Sequence, residues 1–292
     1  MAERSPIDVL PRPLGVAVHD AGAANMIAAW LEAAAIPPDR VVAAGPALAI
    51  FEARFGTQVA ASDDPETLAK MGSVLSGTGW ASDLEHRARL VADECGIHSV
   101  AVIDHWVNYA MRFERGDIVQ LPDTIWVGDP AAEKIARTTF PDLRIERHAN
   151  LYFLEQARAA GPVPSDGDVL FLLEPAHHGW GRAEAGEFQA LDFFMARREL
   201  AGIEAGASVR LRPHPSDPPG KYDTWLARHP GATLDASRDM AGALRTARWV
   251  AGMNSAGLVV AIEAGRTVIG ALPPHAPPCV LPHSGILHLS RL

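Results

Sequence analysis

Short runs of β-branched and small apolar residues, each trailed by a longer stretch of helical spacing, recur along this chain. A strand that feeds a helix and returns as a parallel neighbour is the repeating unit of an open α/β sheet. The alternation therefore predicts parallel sheets with helices on both faces. In the first half the predicted strands cover residues 15–20, 41–45, 58–62, 73–78, 99–104 and 124–128. Helices are expected over 21–35 and 82–95 and after each of the last two strands. Ser82 with Glu85 spells a capping box, and Gly96 a helix stop. Residues 159–167, rich in Pro, Gly and Ala, interrupt the pattern as a linker. Beyond them, strands over 169–173, 208–212, 249–252 and 267–272 alternate with helices over 186–201, 222–228, 240–247 and 256–264. The tail from residue 273 to 292 shows no clear period. A length of 292 residues suits two domains, 1–158 and 159–292. The expected architecture is α/β, two Rossmann-like domains facing across a cleft.

In such sheets ligands bind at the carboxyl ends of the strands. Two segments of the second half carry polar groups there: Val209-Arg-Leu-Arg-Pro-His-Pro215 and Trp249-Val-Ala-Gly-Met-Asn-Ser-Ala-Gly257. Arg212 and His214 offer a cation and an imidazole. Asn254 and Ser255 open a helix whose free backbone N–H groups attract an anion, and the small residues Ser255, Ala256 and Gly257 permit close approach. Read as adjacent strand ends, the two segments predict a phosphate cradle. The plain alternatives are a His held within a Pro-rich turn and an ordinary N-cap.

The first half places Asp104 and His105 directly after a strand. Either can deprotonate a hydroxyl if burial tunes it appropriately. Alternatively Asp104 caps a following helix and Trp106 packs. Asp20 and Gly22 follow the first strand, and Gly79 and Trp80 sit in a small-residue turn. Both loops are expected to line the cleft. Neither completes a Gly-x-Gly-x-x-Gly fingerprint, so no dinucleotide cofactor is expected. His177, His178 and Trp180 are further lining candidates, and Arg112 and Arg182 are candidate cations for an acidic ligand.

Composition narrows the classes. A net charge of −9 without a basic stripe argues against nucleic acid. Cys95 and Cys279 lack metal or disulfide spacing. Asp166-Gly-Asp168 spells Asp-x-Asp but precedes a strand and reads as a turn, so no metal site is expected. No 18-residue apolar run and no leader-like segment occur, which predicts a cytoplasmic protein without a transmembrane segment. Peripheral membrane association stays open.

The second half resembles the donor-binding domain of GT-B glycosyltransferases. The resemblance rests on Arg210-x-Arg212-Pro-His-Pro215 and on Val250-x-Gly-x-Asn254-Ser255-x-x-Leu258 with Ala261-x-Glu263-x-Gly265. It is similar to bacterial surface-polysaccharide and nonulosonate (CMP-sugar) transferases and to CDP-alditol phosphotransferases. Hydrolysing UDP-N-acetylglucosamine 2-epimerases share the architecture. Their strand-turn-helix-strand stretch resembles Val74-Leu-Ser-Gly-Thr-Gly-Trp80 with Ile103-Asp-His-Trp106. The resemblance implies that His214 hydrogen-bonds the donor phosphate as the nucleotide leaves and that Glu263 reaches a ribose hydroxyl. It implies a metal-independent, inverting glycosyltransferase of polysaccharide biosynthesis. The expected donor is a nucleotide-sugar co-substrate, CMP-linked and acidic in preference to UDP-linked, and the acceptor a glycan or lipid-linked hydroxyl. Asp104 is the favoured base, ahead of His105, and His214 completes the catalytic set. The rival readings are a hydrolysing UDP-amino-sugar 2-epimerase, which needs several carboxylates in one site, and a non-catalytic nucleotide- or glycan-binding protein.

Overall fold

The computed structural model describes residues 5–34, 36–56, 61–176 and 178–292. The chain divides into two compact units, Met1–Tyr152 and Phe153–Leu292. In the first, strands β1 (Leu14–Val18), β2 (Arg40–Ala43), β3 (Ala61–Ser62), β4 (Ser73–Ser76) and β5 (His98–Ile103) alternate with helices α1 (Ala21–Ala34), α2 (Pro46–Phe55) and α3 (Leu84–Glu94). A small hairpin, β6 (Glu114–Arg115) and β7 (Ile118–Val119), precedes β8 (Thr124–Val127), α4 (Pro130–Thr139) and β9 (Arg144–Arg147). Helix α5 (Leu151–Ala160) opens at the boundary between the units. The main sheet is seven-stranded and parallel, in the order β3-β2-β1-β4-β5-β8-β9.

The central strands β1 and β4 are buried along their whole length because both faces are covered. Leu14, Val16 and Val18 of β1 pack with Met26, Ile27 and Trp30 of α1. On the opposite face Ala17, Val42 and Val74 meet Ala88, Val91 and Ala92 of α3.

The second unit repeats the plan with β10 (Asp168–Leu172), α6 (Gly186–Arg197), β11 (Val209–Arg212), α7 (Asp223–Arg228), β12 (Ala232–Leu234), α8 (Met240–Arg245), β13 (Ala247–Gly252), α9 (Ala256–Glu263), β14 (Thr267–Gly270) and β15 (Ile286–His288). Its parallel sheet runs β12-β11-β10-β13-β14-β15. Phe171, Phe194, Leu211 and Trp225 anchor its core.

Each sheet reverses its direction of growth once, between β1 and β4 in the first unit and between β10 and β13 in the second. Crevices at such switch points are where open α/β sheets take ligands.

Several expectations are corrected. The α/β alternation is present, but β9, β12 and β15 were not anticipated. No helix follows β5; a single 3-10 turn over Ala110–Phe113 and the hairpin fill that connection. Asp104 therefore caps nothing. The Ser82–Glu85 capping box does not form: Ser82 Oγ accepts from Leu84 N–H at 3.2 Å, while Glu85 turns into the core. Of the strand expected over 58–62, residues 58–60 lie outside the described residues, as does residue 35 of the first helix. The two units divide inside the first turn of α5, between Tyr152 and Phe153. Gln156 of that helix accepts from Ala241 N–H at 3.1 Å, so most of α5 belongs to the second unit.

Candidate functional site

The first switch point gathers every residue singled out in the N-terminal half. Asp20 leaves the end of β1, with Oδ1 2.7 Å from His19 Nδ1. A Cβ on Gly79 would collide with Asp20 Oδ2, so glycine lets the loop after β4 close over that carboxylate without displacing it. Gly22 plays the same part for Asp104: a Cβ there would sit 1.8 Å from Asp104 Oδ2. Asp104 and His105 follow β5, the next strand along.

Arg112 ties these pieces together. It is buried, and its Nη1 donates to Asp104 Oδ1 at 3.1 Å and to Thr78 Oγ1 at 3.2 Å. Its guanidinium lies 5.1 Å from the centroid of the Trp80 ring, which is 47% exposed. The charge of Arg112 is thus matched by Asp104, and the expectation that it would receive an acidic ligand is weakened.

His105 stands beside Asp104 with a buried Nδ1 that has no hydrogen-bond partner. Burial, reinforced by Arg112 and opposed by Asp104, holds its pKa below the ordinary imidazole range. The ring is therefore neutral at neutral pH and able to accept a proton. Trp106 packs, as its plainer reading held, and its Nε1 donates to Asp129 Oδ2 at 2.7 Å.

Glu85 was missed as a site residue. It is fully buried and accepts from the N–H of His19, at 3.0 Å, and from that of Gly79. One carboxylate thereby fastens the loops after β1 and β4. Burial pushes its pKa up to about 7, against those two donors and the nearby Arg89. Three carboxylates, Asp20, Glu85 and Asp104, consequently surround one switch point. The capping-box spelling concealed this.

In the second unit, β11 and β13 are not adjacent; β10 runs between them. Strands two places apart are separated by about 10 Å, so His214 and Asn254 do not close on one phosphate. The residue between them is Glu174, also unanticipated. It lies just past β10, and its Oε1 accepts from Asn254 N–H at 2.7 Å. Burial raises its pKa. The N–H expected to bind an anion from outside therefore holds a carboxylate of the chain itself.

Ser255 caps α9, its Oγ accepting from Gly257 N–H at 3.2 Å, and Ala256 is the first helical residue. Asn254 Oδ1 accepts from Val280 N–H at 2.9 Å, which fastens the tail over this loop. Glu263 ends the same helix, roughly 12 Å along its axis from Ser255, and is exposed. It thus stands at the opposite end of the helix from Asn254 and Ser255. Arg212 Nη1 is taken by Asp235 Oδ2, at 2.5 Å, and by Ser237 O. His214 is exposed, and Ser216 N–H donates to its Nδ1 at 3.2 Å. That bond makes Nδ1 an acceptor, which leaves Nε2 as the ring's donor.

The loop of His214 is pinned from below. Its own N–H donates to Asp217 Oδ2 at 2.9 Å, and Lys221 Nζ bridges Asp217 Oδ1, at 2.6 Å, and Glu187 Oε1, at 2.7 Å. Glu187 Oε2 in turn accepts from Ala176 N–H in the loop after β10. His177 lies outside the described residues, and His178 is exposed. Arg182 lines a separate cavity of about 570 Å³ with Arg197, Gln189, Phe193 and His275. Asp168 opens β10 and pairs with Arg210. Among the described residues no group of His, Cys, Asp and Glu gathers to hold a metal, and no helix is long and apolar enough to cross a membrane.

No protein-family profile matches the chain, and no curated protein sequence does. Solved structures do. A provisionally named UDP-N-acetylglucosamine 2-epimerase of Listeria monocytogenes aligns with TM-score 0.58 and 14% identity over 88% of this chain and 78% of its own. The Neisseria meningitidis UDP-GlcNAc 2-epimerase, bound to UDP-GlcNAc, gives 0.57 and 13% over 88% and 81%. The S. aureus MnaA structure with UDP gives 0.56 and 11% over 88% and 78%. The likeness shows the fold: this chain is an α/β protein of the GT-B type.

Proposed function

We propose that the chain acts on a nucleotide-activated sugar as a glycosyltransferase, with the donor nucleotide held at the second switch point and the acceptor and base at the first. His105 takes the proton of the acceptor hydroxyl. Asp104, held by Arg112, steadies the imidazolium that forms. The freed oxygen attacks the anomeric carbon in a direct, inverting displacement. His214 then donates through Nε2 to the phosphate on which charge develops, while the start of α9, two strands away, meets another part of the donor. The His214-Pro215 element favours a CMP-activated acidic sugar over a UDP-linked one. The acceptor is a glycan or lipid-linked hydroxyl. The observation that most supports the reading is the meeting of an unpartnered neutral imidazole with an Arg-held carboxylate at one strand end.

A second reading is favoured by a different observation. Asp20, Glu85 and Asp104 share the first switch point. Several carboxylates in one site suit removal and return of a proton next to the anomeric carbon, as in a hydrolysing 2-epimerase.

Calorimetric titration with CMP, CDP, UDP and GDP identifies the nucleotide, because a ligand of the native state raises stability. Incubation with the matching sugar nucleotides follows. Nucleotide release that depends on an added acceptor supports transfer, and His105→Gln should lower it at least about 100-fold. Free epimerised sugar from UDP-N-acetylglucosamine without an acceptor would replace this reading with the second.

A further inference from the structure

We infer that Trp80 is the platform of a saccharide site in the first unit and that the site takes a neutral pyranose ring, not an acidic sugar. The inference deepens the acceptor side of the proposed transferase and rests on that reading only for the direction of transfer. Large aromatic side chains are normally covered, yet the indole of Trp80 is 47% exposed at the carboxyl edge, where its sheet reverses. It is nevertheless fixed. The guanidinium of Arg112 lies 5.1 Å from the ring centroid, and Arg112 is itself buried and bonded to Thr78 and Asp104. The N–H of the preceding residue, Gly79, is held by Glu85, and its carbonyl accepts from Arg115 Nη2 at 2.7 Å.

A rigid, exposed indole is costly to leave in water and suits a ligand with one apolar face. A pyranose ring has such a face of C–H groups, ringed by hydroxyls that need acceptors. Asp20 and Asp104 supply them within the same loops. The Asp20 carboxylate lies over Gly79, next to Trp80, and Asp104 is joined to Trp80 through Arg112. Their side chains remain 33% and 19% exposed.

Charge selects between ligands. Arg112 is matched by Asp104. Arg115, the other nearby guanidinium, is taken by Asp83 Oδ1 at 2.9 Å and by the carbonyls of Gly79, Ser82 and Glu114. With both cations engaged, the carboxylate left without a cationic partner beside Trp80 is that of Asp20, which accepts from hydroxyls and repels carboxylates and phosphates.

Saturation-transfer NMR on the 292-residue chain tests this with named probes: methyl β-glucoside, methyl N-acetylglucosaminide, glucuronate and CMP. The expected result is saturation of the ring protons of at least one neutral glycoside. Its affinity should be weakened about tenfold in Trp80→Ala and held within about threefold in Trp80→Phe. Asp20→Asn should weaken it too, and unchanged melting of each variant shows that the fold is kept. Glucuronate should give no signal dependent on Trp80. If neither glycoside binds, if glucuronate or CMP is the probe that Trp80→Ala weakens, or if Trp80→Ala leaves glycoside binding intact, the inference is overturned. Glycoside binding through Trp80 without any sugar transfer would overturn the transferase reading and leave this site standing. Acceptor-dependent transfer indifferent to Trp80→Ala would do the reverse.

Discussion

Glu85 ties two loops of the first sheet with one carboxylate, and its environment makes that tie sensitive to pH. Burial raises its folded pKa to about 7 from an ordinary 4.5. The folded state therefore keeps a proton that the unfolded chain gives up over that interval. Its stabilising share is complete below pH 4.5 and is lost as pH rises through about 7. Urea unfolding between pH 5 and 8 should show a falling midpoint across that window, and a flatter profile in Glu85→Gln. The variant should also be weaker at pH 5 by about 2 kcal/mol, because its NH2 group meets a backbone N–H. The same residue shows why the site was only half legible. Ser82-x-x-Glu85 satisfies a local pattern, but two backbone N–H groups from distant strand ends compete for the carboxylate and win. Nothing within four residues of Glu85 records them. By contrast the position of Asp20 and Asp104 at strand ends was legible, because each closes an apolar run that reads as a strand.

At the scale of elements, the buried parallel strands were legible for the same reason: covered on both faces, they read as continuous apolar stretches. The short strands β9, β12 and β15 carry no such run and exist because a neighbour offers a ladder to join. Strand order was not legible either, and so β10 and its Glu174 went unplaced between β11 and β13. The loops that follow these strands are held by one ammonium. Lys221, bridging Glu187 and Asp217, links the loop of His214 to the loop after β10. Lys221→Met should cost about 3 kcal/mol in denaturant unfolding, since it leaves two poorly exposed carboxylates without their counter-ion. Lys221→Arg should recover part of that loss. A loss below 1 kcal/mol in the Met variant would show that the bridge is not what holds the loops.

For the whole molecule, two α/β units followed from length and the strand-helix alternation, but residues 159–167 lie inside the second unit, and what fastens them there was not legible. Arg266, 4% exposed, donates to the carbonyls of Gly161 at 2.7 Å, Pro162 at 3.2 Å and Leu244 at 3.1 Å. A single side chain from just before β14 thus holds the segment after α5 against the second unit. Arg266→Met should open residues 159–167 to limited proteolysis at least about tenfold faster, under conditions where the rest of the unit stays intact. Equal cleavage rates would place the restraint elsewhere. The interposed strand β10 carries a different consequence. With the imidazole of one loop and the helix start of another standing a strand's width to either side of it, this edge of the sheet works as a gauge. A ligand that met both would have to reach across β10 and past the carboxylate of Glu174, so length would be read at this edge before charge.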